Sequence, residues 1–284
     1  MRLRPSLRFV FPFVFMAISA MAWCQKIPKG LHDPKDFKKN FAATSETVYA
    51  CKYETCNLDY LLFLRSVKRR MNPAIYQSLL PDTTKWSNKG MNNANYTQNY
   101  LHHPSYYYFP LVNVSYEQAN FYCVWLTQQY NNNPKRKFKK VVFKIPTRSE
   151  WENAAGISND KNSFPWGQAL PKAKQANYYD ANKAALDSSL QAKQSSANFD
   201  AFQEKGLPYF THKVNDKKAI QNKLGMYHIA GNVSEMVSGK GECAGGNFQS
   251  NVDWLRIDAP NEFYPGYIPC PLIGFRIFMQ VMEE

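Results

Sequence analysis

Residues 110–131 read PLVNVSYEQANFYCVWLTQQYN. Val112 and Val114 alternate as in a brief extended stretch. Ser115 then stands where a helix N-cap belongs, and Gln118 three positions later completes a capping box. The helix that follows carries Ala119, Tyr122, Cys123 and Leu126 on one face. A second start of the same kind lies in residues 144–156, KIPTRSEWENAAG, after the basic turn NNPKRKFKK. There Thr147 is the cap and Glu150 the third position, Trp151, Ala154 and Ala155 face inward, and Gly156 stops the helix.

Upstream, residues 46–70 read ETVYACKYETCNLDYLLFLRSVKRR. Val48, Ala50 and Tyr53 suggest a short strand, and Leu58, Leu61, Leu62 and Leu64 an amphipathic helix with Asn57 as its cap. The cations Lys68, Arg69 and Arg70 suit its C-terminal dipole. Residues 72–108 are rich in Asn, Tyr, Pro and Ser and read as a long loop region. Residues 157–222 hold few apolar runs, too much structureless chain for a compact α/β domain, so a fold of loops on a small sheet is expected. Dense motifs return in GMYHIAGNVSEM (225–236), GECAGGNFQS (241–250) and IGFRIFM (273–279). There is no repeat of fixed period.

The 284 residues allow one large domain or two small ones. With 44% apolar and 20% charged residues the chain is neither disordered nor a coiled coil, since 13 Gly, 17 Pro and many aromatics interrupt long helical patterns. Lys and Arg number 35 against 22 Asp and Glu, a net charge of +13. Residues 1–22 read as an export signal: Arg2, Arg4 and Arg8 precede the apolar run FVFPFVFMAISAMA, and Ala20-Met21-Ala22 offers a cleavage site. Its removal takes three arginines and leaves +10. Lipid attachment at Cys24 is the rival reading, with the bulky Trp23 against it. An exported chain with dispersed basic runs is not a nucleic-acid binder. Those runs suit solvated faces, acidic partners or anionic lipid headgroups, the last of which leaves proximity to a membrane open. Residues 23–45 read as an exposed arm and 46–284 as one domain. Cys24, Cys51, Cys56, Cys123, Cys243 and Cys270 allow fifteen complete pairings, and buried single thiols are the alternative.

Taken in order, these blocks resemble the formylglycine-generating-enzyme family, the sulfatase-modifying-factor domain. The family's opening Y-E-V-T-N-x-x-Y-x-x-F is matched by KYETCNLDYLLFL, and its P-V-x-x-V-S-W-x-x-A-x-x-Y-C-x-W by residues 110–125. KIPTRSEWENAA, FPWG, GMYHIAGNVSEM, GGNF and GFR follow in the family's order, so the resemblance covers about residues 46–279. It implies an α+β, C-type-lectin-like complex fold with small antiparallel sheets, few helices and much irregular structure. That fold hosts catalysts and inert modules alike.

The family's oxidases use copper(I), a soft ion that prefers thiolates, held by two cysteines just after the glycine pair. Carried over, those positions are Ser250 and Leu255, neither of which binds Cu(I), and no catalytic residue is assigned. Cys243 and Cys270 lie on the wrong side or too far along. The iron branch of the family needs a His-x-x-x-His-x-Glu spacing that His32, His102, His103, His212 and His228 do not form. Calcium is the cofactor the resemblance leaves open. One site would take the carbonyls of Gly231 and Val233 with the Glu235 carboxylate, and another the Asn177 side chain with the Tyr178 carbonyl. His228 replaces a usual Asn or Asp ligand there.

Three function classes follow from the resemblance. One is an exported, non-catalytic module that acts by protein contact in the bacterial envelope, as relatives in gliding-motility and type IX secretion machinery do. Another is an enzyme with unrecognised chemistry. The third is a lectin-like binder that uses the Tyr and Asn of NNANYTQNYLHHPSYYYF.

Overall fold

The computed structural model describes residues 28–33, 36–87, 94–156, 163–171, 175–183, 211–260, 262–263 and 268–284. The export signal and Cys24 lie outside the described residues. Among these, no helix is long and apolar enough to cross a membrane.

Two four-stranded sheets organise the chain. The first joins β1 (Phe41–Ala43), β2 (Val48–Cys51), β8 (Phe278–Glu283) and β3 (Lys140–Lys144) in that order, all antiparallel. The second runs β6 (Glu262–Phe263), β5 (Glu242–Ala244), β4 (Ser234–Met236) and β7 (Ile273–Gly274), with β4 and β7 parallel. The architecture is α+β with few helices.

Alternation along the strands feeds two cores, because successive side chains leave a strand on opposite faces. Tyr49, Cys51, Met279 and Val281 join Tyr122, Cys123 and Leu126 of the long helix α5 (Tyr116–Asn131). Val48, Ala50 and Phe278 join Trp151, Ala154 and Ala155 of α6 (Arg148–Ala155). Both helices start as expected: Ser115 with Gln118 and Thr147 with Glu150 form complete capping boxes. Gly156 ends α6 in an extended conformation.

Three expectations are corrected. The described part of the 23–45 arm is folded into the domain: Phe37 of α1 (Phe37–Asn40) and Phe41 are buried, and β1 pairs with β2. Two apolar aromatics in a polar stretch have no period to reveal them. The helix α2 (Asn57–Val67) has Cys56, not Asn57, at its N-cap position, with no side-chain capping bond. Asn57 is instead fully buried, and its Nδ2 donates to the carbonyls of Tyr100 (2.8 Å) and Tyr106 (3.0 Å). The region 72–108 carries short helices, α3 (Pro73–Ser78), α4 (Ala94–Asn99) and a 3₁₀ turn at Thr83–Ser87, the last holding buried Trp86. Tyr96 and Tyr100 pack against that indole with ring centroids 4.9 Å away.

Candidate functional site

The glycine motifs meet below β4. Gly231 has φ +80° and Gly245 φ +90°, and the Gly231 amide donates to the Gly245 carbonyl at 2.8 Å. A Cβ on Gly231 would stand 2.7 Å from the Asn177 carbonyl oxygen, so only glycine allows the two loops to close.

Between them Asn232 takes φ +65°, a left-handed conformation that asparagine tolerates better than most side chains. Its fully buried amide is a hub. Nδ2 donates to both oxygens of Glu54, at 2.8 and 3.1 Å, and Oδ1 accepts from Asn177 Nδ2 (3.0 Å) and the His212 amide (2.7 Å). Its backbone amide donates to the Asn177 carbonyl at 2.8 Å.

Glu235 on β4 faces the neighbouring charge. Its carboxylate accepts from Arg276 Nε at 2.9 and 3.1 Å, from Nη2 at 2.6 Å and from the Trp151 indole at 2.8 Å. Burial pushes Glu235 upward, while Arg276 and Trp151 pull it back and keep it paired. Burial also opposes the charge on Arg276, yet the facing carboxylate holds it above its ordinary value. One guanidinium thus faces two buried carboxylates. Glu54, which it does not directly bond, is raised well above the usual range, first by burial and then by the Glu235 charge against the pull of Arg276. Burial holds His228 down to about 3, and His212 is lowered for the same reason.

The copper positions carried over from the resemblance do come together. A Cβ on Gly246 would meet Ser250 Cβ and Leu255 Cδ1, each at 3.2 Å. Both side chains are used in packing. Ser250 Oγ accepts the Asn247 amide at 2.9 Å, and Leu255 is fully buried with Phe164, Ala176, Tyr178 and Ala230. A hydroxyl and an isobutyl group do not fit Cu(I). None of Cys51, Cys56, Cys123, Cys243 and Cys270 is in a disulfide, and no cluster of three His, Cys, Asp or Glu side chains with metal-binding geometry occurs among the described residues.

The calcium set is also placed. Asn177, Gly231 and Val233 converge around Asn232, and Tyr178 sits beside them in the same cluster as Leu255. The set does not fit Ca²⁺, because the Glu235 carboxylate is turned to Arg276 and Trp151, and the Asn177 side-chain oxygen accepts from Asn182 Nδ2 at 2.8 Å. His103 lies against Tyr106, and its Nδ1 accepts the Ser105 amide at 3.3 Å.

Sequence reading passes over two buried groups. Glu54 was visible as the acid of the KYET block. The cluster of His32, Cys56, Asp59 and Tyr122 had no local signal: His32 Nδ1 lies 2.8 Å from Tyr122 Oη, and Cys56 Sγ donates to Asp59 at 2.9 Å.

Residues 44–281 match the model of the sulfatase-modifying factor enzyme 1-like domain. The solved structure of CarF is similar with a TM-score of 0.50 at 18% identity, over 82% of this chain and 86% of that one. Treponema denticola variable protein 1 gives 0.49 at 17% identity, over 85% and 91%. PvdO from Pseudomonas aeruginosa gives 0.49 at 16%, over 82% and 80%. At such identities CarF speaks for the fold alone, and the expected C-type-lectin-like α+β class holds. No curated protein matches.

Proposed function

The chain belongs to the sulfatase-modifying factor enzyme 1-like family, and from that premise we propose that it is an exported, non-catalytic member acting by protein contact in the bacterial envelope. The observation that carries this reading is the pair flanking Gly246. Where the oxidases of the resembled family need two thiolates, this chain has Ser250 and Leu255, and both serve the packing of the loop. The loop is otherwise fully built in this chain, down to the Glu235–Arg276 pair. A fold kept in such detail without its metal ligands points to a surface role.

The surface best suited to contact is the projection Lys135–Lys140. Buried Phe138 anchors it, and the Tyr130 hydroxyl accepts the amides of Lys137 and Phe138 at 3.1 Å. Five cations are thereby displayed on a fixed turn, a match for an acidic partner. Components of envelope secretion or gliding machinery are the partners we propose. The export signal directs the protein to the periplasm or the outer membrane, with lipid attachment at Cys24 as the second route.

The test is affinity capture of tagged protein from its native envelope. Specific partners are expected with wild type and with Ser250→Ala. They should be lost when Lys135, Lys139 and Lys140 are replaced by Glu. Equal capture by the charge-reversed variant would exclude this surface as the site of contact.

A further inference from the structure

Away from the glycine loops, α2 leaves a stripe of its surface uncovered. Half-buried Leu61 and Leu62 and exposed Arg65 follow buried Leu58 at helical spacing, so they share one face, and Lys68 extends it by a turn. With Leu80 and Tyr76 opposite, this face lines a groove of about 290 Å³. That is close to the lower end of small-molecule sites, roughly 300–1,000 Å³. The floor is leucine, the rim holds two exposed cations, and no Asp or Glu lines it. Neither Arg65 nor Lys68 has a carboxylate partner among the described residues; Lys68 Nζ instead lies 5.9 Å over the Tyr76 ring.

We propose that this groove binds a single-chain amphiphilic anion, an alkyl carboxylate of the fatty-acid class, with its chain along Leu61, Leu62 and Leu80 and its head between Arg65 and Lys68. Charge complementarity selects the head, since a planar guanidinium donates two parallel hydrogen bonds to a carboxylate. The helix selects the tail. Amides in the body of α2 are bonded within the helix, so the floor offers side chains only and no backbone donors for an extended peptide. A concave site of this size also admits one chain better than a flat bilayer surface. Binding here is independent of the contact role assigned to Lys135–Lys140.

The test is calorimetric titration of the full chain with decanoate below its micellar range. Parallel titrations use acetate, decyltrimethylammonium and vesicles of anionic lipid. The double variant Arg65→Glu, Lys68→Glu changes two exposed positions, and an unchanged melting temperature shows that it remains folded. Expected is saturable one-site binding of decanoate, weakened about tenfold or more in the double variant, because removing one charge-assisted hydrogen bond weakens binding by about that factor. Acetate and the cationic amphiphile should bind undetectably. Absent decanoate binding overturns the proposal. So does equal affinity for the cationic amphiphile, an unchanged affinity in the double variant, or binding to vesicles alone.

Discussion

Arg276 and Glu235 form a fully buried ion pair, Nη2 to Oε1 2.6 Å, in which the guanidinium also donates to the carbonyls of Cys51 (3.0 Å) and Tyr227 (2.8 Å). One side chain thus ties the C-terminal segment to β2, to β4 and to the loop before the glycines. Breaking such a pair leaves an orphaned charge inside, which costs about 3–5 kcal/mol. Arg276→Met should lower stability to urea by that order. The double variant Arg276→Met, Glu235→Leu should recover part of the loss. A single variant as stable as wild type would show that the pair is dispensable.

Glu54 predicts a dependence on pH. Its folded pKa lies above the ordinary 4.5, so the native state holds a proton that the unfolded chain releases. Its contribution to stability is therefore fullest below 4.5 and falls as pH rises through the folded value, by at most about 1.4 kcal/mol per unit. Glu54→Gln removes this proton uptake. Melting curves from pH 4.5 upward should show the variant gaining on wild type as pH increases, whereas parallel profiles would contradict the assignment.

Leu255 fills space beside Gly246 and holds no metal. Leu255→Ala should cost about 2–5 kcal/mol, the usual range for emptying a well-packed leucine site. Partner capture measured below the melting transition should be unchanged. Weakened capture at unaltered stability would put Leu255 in the contact surface instead.

The five described thiols carry a redox prediction. Cys51, Cys56, Cys123 and Cys243 are buried, and burial pushes the Cys51 thiol up to about 12 and raises Cys123 as well. Only Cys270 is partly exposed. Alkylation of native protein followed by mass spectrometry should modify Cys270 and spare these four until denaturant is added. Rapid labelling of Cys51, or a disulfide among the five, would contradict the structure.

What was legible in the sequence is what is local. Ser115 with Gln118 and Thr147 with Glu150 announce their helices because each capping box closes within three residues. The glycine blocks announce their loops because their backbone angles exclude other side chains. Asn57 misled, since its amide answers to carbonyls more than 40 positions away rather than to its own helix. The hub around Asn232 was hidden for the same reason: its partner Glu54 is 178 positions distant. Phe37 and Phe41 show the limit most plainly, as apolar residues without period inside a charged stretch that nevertheless closes the edge of the first sheet.

The contact role stands or falls on the absence of oxidase chemistry beside Gly246. Purified protein, loaded with copper under reducing conditions and given O₂, should be incubated with a cysteine-containing sulfatase peptide and the product weighed by mass spectrometry. No formylglycine should form above the protein-free control. Conversion of the cysteine above that control, abolished on denaturing the protein, would contradict a role by contact alone.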